Sequence, residues 1–335
     1  MLALLIAALV ALLVARPAAP LWRYPALAPL TGSIVVVDGI AFAASREATV
    51  YALEVTTGHT LWRLPLTTSV IAPIRVNYGM LFVGGANGQV RALQATTGKP
   101  VWEIAATGAV TGMDAARGML VVATDRGRLL ALDALTGHTA WEAQFPSSLG
   151  EPAAQAPHLF VGDGGGRLHC LSLTTGQALW STSLGGGVQE PAAARGGFVA
   201  AGTTSGRAFL LAIKDGRVVW SQSLPGPALS NPLLVGDWVI WAAGRSLVAY
   251  GLGNGARRWE CHLGSTITAP PALADGQIVV GDGGGRIYTV STSAGRKSRL
   301  RARAPAPVAA LAAEEDRLVL GDWQGMLSCA LYAHE

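Results

Sequence analysis

The chain has 335 residues, of which 50% are hydrophobic and only 14% charged, with a formal net charge of +4. Those proportions exclude a disordered or collagen-like polymer and leave ample apolar material for a large core. So weak a positive balance, carried by 25 Lys and Arg against 21 acids, gives no ground for a nucleic-acid partner.

Residues 1–15 (MLALLIAALVALLVA) are unbroken apolar sequence, followed by Arg16, Pro17 and Pro20. As a helix this run spans roughly 22 Å, short of the roughly 30 Å hydrocarbon core of a bilayer. The length suits the apolar region of a secretory signal, with Ala15, Ala18 and Ala19 as an imperfect small-residue cleavage site, although no Lys or Arg precedes it. Residues 1–20 are therefore expected to be a signal peptide or N-terminal membrane anchor. Either role places residues 21–335 outside the cytoplasm, in the periplasm or at the cell surface. A cytoplasmic protein with a buried N-terminal helix is the third reading.

Beyond residue 20 a repeat takes over. Trp22, Trp62, Trp102, Trp141, Trp180, Trp220 and Trp259 are spaced by 40, 40, 39, 39, 40 and 39 residues. A glycine stands four residues before each of the last six, and the glycine lattice continues at Gly295. Ten residues before the tryptophan is usually a small side chain: Ala52, Ala92, Ala131, Cys170 or Ala249. Within a unit such as 76–105, the segments 81–83, 90–93 and 100–104 read as strands between the turns Asn87-Gly88 and Thr97-Gly98. Four short strands per roughly 40 residues make a β-propeller blade, with the lattice tryptophans packing between blades.

Complete units end at Trp62, Trp102, Trp141, Trp180, Trp220, Trp259 and near residue 299, where the lattice holds Arg instead of Trp. After these seven blades, the C-terminal piece offers strands at 317–320 and 326–331 but no outer strand. Leu21, Trp22 and Arg23 match Leu61, Trp62 and Arg63 and have no inner strands before them. The expected fold is all-β: an eight-bladed β-propeller of four-stranded blades, spanning 21–335, whose ring is closed by pairing the N-terminal strand with residues 326–331.

Ala131, Asp133, Thr136, Gly137 and Trp141 form the pattern Ala-x-Asp-x-x-Thr-Gly-x-x-x-Trp. Ala52, Glu54, Thr57, Gly58 and Trp62 repeat it with Glu, and Ala92, Gln94, Thr97, Gly98 and Trp102 with Gln. This pattern resembles the signature of the pyrroloquinoline-quinone-like propeller repeat family, and the resemblance covers essentially residues 20–335. The family has a catalytic branch of quinone-dependent dehydrogenases, normally much longer chains, with a calcium ion and a catalytic Asp over the channel. Its non-catalytic branch includes extracytoplasmic scaffolds of this length that take part in outer-membrane protein assembly. The resemblance implies the second branch, because the sequence has no adjacent cysteines and no insertion long enough for a cofactor cap.

Several residues carry candidate chemistry. Glu151 and Glu190 hold the same slot before Pro152 and Pro191, where a propeller's innermost strand opens onto the channel. They are expected either at a solvated channel mouth or as a cation-binding or acid–base pair. The segment VGDGGGR occurs at 161–167 and 280–286 and precedes strands rather than helices, so it reads as a hairpin turn and not a phosphate loop. Cys170, Cys261 and Cys329 are too scattered for zinc and are expected to be buried thiols. Residues 296–303 are the one basic cluster. A one-residue register shift there would place Leu300 in the tryptophan slot and turn Lys297, Arg299, Arg301 and Arg303 outward, as a surface for an acidic protein or anionic lipid, or simply as a charged edge. The functional expectation is a non-enzymatic scaffold with protein partners at the membrane or cell envelope and no cofactor. A quinone-dependent dehydrogenase and a small-ligand or glycan-binding propeller are the alternatives.

Overall fold

A computed structural model describes residues 20–331 apart from 27 and 229; the side chains of 31, 32 and 299–301 also fall outside that description, as do residues 1–19 of the expected signal or anchor segment 1–20. The described residues form eight antiparallel sheets of four strands each and no helix. Blades 1 to 7 occupy residues 30–65, 75–105, 110–144, 153–183, 193–223, 233–262 and 272–303, in simple up-and-down order from channel to rim. Blade 8 takes its three inner strands from Val308–Glu314, Arg317–Asp322 and Met326–Leu331, and its outer strand from Trp22–Pro25. Trp22 lies opposite Cys329 and Pro25 opposite Met326, and the Leu21 and Ala26 amides donate to the carbonyls of Cys329 and Gly325. The expected eight-bladed, N-terminally closed ring is thus the fold. Closure gives the third strand of blade 8 the backbone partners it would otherwise lack.

The repeat pattern has a physical reason at each position. In blade 3 the Asp133 carboxylate accepts from the Leu135 and Thr136 amides and the Thr136 hydroxyl, tying the turn before the outer strand. Those bonds, led by the Thr136 hydroxyl, hold the Asp133 carboxyl below its ordinary range. Glu54 and Gln94 accept the same hydroxyl bond from Thr57 and Thr97.

Each lattice tryptophan reaches into the next blade. The indole N–H donates across to a backbone carbonyl: Trp22 to Val55, Trp62 to Ala95, Trp102 to Ala134, Trp141 to Leu173, Trp180 to Ile213, Trp220 to Leu252 and Trp259 to Thr292. Its ring covers that blade's turn glycine. At Gly137 the backbone has φ +74°, and an added Cβ would stand 2.7 Å from the Trp102 ring, so the position excludes a side chain on both counts. The glycine four residues before a tryptophan therefore belongs to the indole of the preceding blade.

The joint between blades 7 and 8 departs from this rule. Ser298 lies opposite Thr289, the position that faces a tryptophan in the other blades, and the pairing is irregular between Arg299 and Arg303. The sequence reading expected a shift that puts Leu300 in this slot; the pairing slips the other way and leaves a serine there. The bulge that precedes the tryptophan elsewhere is missing in blade 7, so Gly295 stands three residues before the slot instead of four.

Candidate functional site

The inner strands line a central channel, and one belt of side chains ties them together. Ser33 accepts from the Ile74 amide, Asn77 donates to the Ala115 carbonyl, Asp114 accepts from Ala154, Gln155 accepts from Ala194, and Arg195 donates to Leu234. Each bond passes from one blade to the next, so blades 1 to 6 are joined at the channel as well as at the rim.

Where the chain enters the inner strands, the channel widens into a cavity of about 210 Å³. Its polar wall holds Ser33, Arg75, Glu151, Glu190, Ser230 and Asn231, and its apolar wall includes Ile34, Leu311 and three prolines. Glu151 and Glu190 both line this cavity, and their surroundings differ. Glu151 is bonded to the Arg75 guanidinium, whose Nε also lies 3.7 Å from Asp114. The third guanidinium nitrogen, Nη1, donates to the Ile74 carbonyl at 3.0 Å. Burial lowers the Arg75 pKa against the pull of Asp114, and burial raises that of Asp114 against its bonds from Ala154 and Ala115 and the charge of Arg75. Glu190 has no hydrogen-bond or ion-pair partner among the described residues, and burial pushes its carboxyl above the ordinary range.

Arg75, in the cavity lining, and Asp114 beside it are the charged channel residues that the sequence reading missed. They occupy equivalent inner-strand positions in successive blades, opposite Phe82 and Val121. The same position holds Val35, Ala153, Ala193 and Leu233 in other blades, so no periodic signal marks it. The detectable sign was a charged residue in a slot that is otherwise apolar.

The other candidates lie elsewhere. The two VGDGGGR segments are the turns between the second and third strands of blades 4 and 7, where Asp163 and Asp282 accept from the Arg167 and Arg286 amides. Cys170, Cys261 and Cys329 are free and buried; burial pushes the thiols of Cys170 and Cys329 up to about 12 and about 11. Such thiols stay protonated and inert at neutral pH. In the basic strand Lys297–Arg303, Lys297 and Arg303 are exposed while Ala302 is buried. The Lys297 ammonium reaches back to the His262 carbonyl of blade 6 and lies 5.9 Å from the Tyr288 ring centroid. Trp323, one of three tryptophans off the lattice, stands 54% exposed on the turn between the second and third strands of blade 8. That turn lies on the face that bears the channel cavity.

Fold and repeat chemistry together define an eight-bladed propeller of the pyrroloquinoline-quinone-like type. The model of the family described as outer membrane protein assembly factor BamB matches residues 8–107, 76–189, 146–201 and 164–322, and the chain belongs to that family. Among solved structures, BamB from Moraxella catarrhalis is 20% identical, with a TM-score of 0.79 over 93% of this chain and 98% of that one. The computationally designed Ika8 protein is 17% identical, with a TM-score of 0.82 over 92% and 97% of the two chains. Sqt1 from Saccharomyces cerevisiae is 10% identical, with a TM-score of 0.84 over 96% and 100%. These three likenesses show a shared fold. A comparison with curated protein sequences finds no match.

Proposed function

We propose that this protein is a non-enzymatic propeller scaffold that works outside the cytoplasm and holds other proteins together during outer-membrane protein assembly. The observation that carries this reading is the family match along nearly the whole ring. In this reading residues 1–20 are the export signal or membrane anchor and 21–335 one propeller domain. The exposed indole of Trp323 serves as a docking anchor, since exposed aromatic side chains commonly dominate protein–protein binding. The basic strand with Lys297, Arg299, Arg301 and Arg303 contacts an acidic partner or anionic lipid.

The channel chemistry supports the same choice over a quinone-dependent dehydrogenase. Such an enzyme needs a cation site and a free carboxylate base beside a bulky cofactor. Here Glu151 is engaged by Arg75, which leaves Glu190 as the free carboxyl at the cavity, and no three His, Cys, Asp or Glu side chains converge as a metal site among the described residues. The cavity is also smaller than the roughly 300–1,000 Å³ of sites for drug-sized ligands. This residue set does not fit the quinone and its calcium.

The test is cross-linking in the envelope of the native host, with a photoreactive residue at position 323. Recovery of a subunit of the outer-membrane assembly machinery is expected. Failure to cross-link any envelope protein, combined with quinone-dependent alcohol or sugar oxidation that disappears in E190Q, would reverse the reading.

A further inference from the structure

We infer that the channel cavity is a socket for a single organic cation: an ammonium or guanidinium group on an aliphatic stem, held by Glu190 and Asn231. This inference stands independently of the scaffold reading, because it rests on the cavity alone.

The sign of the ligand follows from which groups are already satisfied. Arg75 is the one cation in the cavity lining, and all three of its nitrogens are engaged: Nη1 by the Ile74 carbonyl, Nη2 by Glu151, and Nε beside Asp114. Its charge is thus already countered by two carboxylates, Glu151 and Asp114. Glu151 is neutralised by the same contact. The Asp114 oxygens accept from the Ala115 and Ala154 amides. What remains open to the cavity is the Glu190 carboxyl and the Asn231 side-chain amide, neither of which has a partner among the described residues. Glu151 and Asp114 already flank the one guanidinium and Glu190 lines the same cavity, so the local balance is negative, and a half-buried carboxylate gains most from a cation that brings its own hydrogen-bond donors.

The shape of the ligand follows from the walls. Ile34, Leu311, Pro191 and Pro270 add apolar surface to the lining, which suits a stem that buries methylene groups while its charged end meets Glu190. At about 210 Å³ the space holds several waters, the scale of one side chain or a small alkylamine. A bare metal ion would leave the apolar wall unused and finds too few convergent ligands among the described residues. The shared chemistry is met by two sources: a free alkylamine or alkylguanidine, and a Lys or Arg side chain inserted by a partner.

The full chain, labelled on Ile and Leu methyl groups, would be titrated with butylamine, agmatine and an Ala-Ala-Lys-Ala-Ala peptide. The peptide with norleucine in place of lysine is the neutral control. The expected result is saturable shifts at the Ile34 and Leu311 methyls with the cationic probes and none with the norleucine peptide. E190Q should weaken binding by about tenfold or more, the loss of one charge-assisted contact. Tighter binding of the peptide than of the free amines assigns the source to a partner's side chain, and the reverse assigns it to a free amine. Equal shifts with norleucine, undiminished binding in E190Q, or no saturation by any cationic probe would overturn the inference. The melting temperature of E190Q, read alongside, shows that the fold is intact.

Discussion

At the scale of single residues, the ring is held by a few side chains whose loss has a definite cost. Trp220 is buried against Trp241 and Tyr250 at ring distances of 6.0 Å, and it donates to the Leu252 carbonyl of the next blade. Trp220→Ala removes the ring and leaves a cavity and an unmet carbonyl. It should cost about 3–5 kcal/mol in a urea melt, and a loss below about 1 kcal/mol would mean that the joint is held by something else. Glu190 gives a pH prediction. Its carboxyl is raised by burial, so the folded state holds the proton more tightly than the unfolded chain, and ionisation costs stability. The penalty is absent below the unfolded value of roughly 4.3, grows as pH rises from there, and levels off above the folded value. Wild type and E190Q should therefore melt alike near pH 3.5, with E190Q the more stable at pH 7; wild type more stable at pH 7 would mean that the carboxylate has a partner in the folded chain. The tryptophan lattice was legible in the sequence because seven joints repeat it. The partner of each glycine was not, since equal periods give spacing without phase. Arg75 and Asp114 were illegible for the opposite reason, each being charged only in its own blade.

At the scale of strands, the two ends of the chain behave differently from the blades between them. The outer strand of blade 8 is only four residues long, Trp22–Pro25, yet it supplies both the missing edge and the indole that packs on Gly58 of blade 1. Removing residues 1–25 should lower stability by more than about 3 kcal/mol and promote association through the exposed edge of blade 8. A truncated protein that melts like the full chain would show that this strand does not close the ring. The basic strand Lys297–Arg303 makes a contrasting prediction. On the sequence's expectation that Arg299, Arg301 and Arg303 face outward, replacing them with Ser should change stability by less than about 1 kcal/mol, since surface charges contribute little. Binding to vesicles that contain anionic lipid should weaken and lose salt dependence. Unfolding of the triple variant would instead place these arginines inside the joint. Strand positions were readable from turn pairs such as Asn87-Gly88, but the register of this strand was not. With no tryptophan to fix the phase, the sequence allows a slip in either direction.

At the scale of the whole molecule, a closed ring is no more rigid than its weakest joint, and packing points to the joint between blades 7 and 8. Every other apolar cluster contains or packs against an aromatic ring: Trp22 and Tyr51 between blades 8 and 1, Phe42 and Trp62 between 1 and 2, Phe82 and Trp102 between 2 and 3, with the series continuing to Trp259 between 6 and 7. The cluster that joins blades 7 and 8 is made of Ala269, Val279, Ile287, Ala302, Ala304, Val308, Leu311, Leu318, Leu320 and Ala330, with no aromatic residue among the described ones. Small side chains bury less apolar area per contact, and Ser298 supplies no indole bond here. Local opening follows the places with the least burial and cross-linking. Native-state hydrogen exchange should therefore show the amides of 297–303 and 308–314 exchanging fastest among strand residues, well before the equivalent strands of blades 3 and 4. The Ser298→Trp variant should not slow them, because the described residues of blade 8 include no turn glycine to receive the ring. Protection at 297–314 equal to that of blades 3 and 4 would mean that closure by the N-terminal strand spreads stability evenly around the ring.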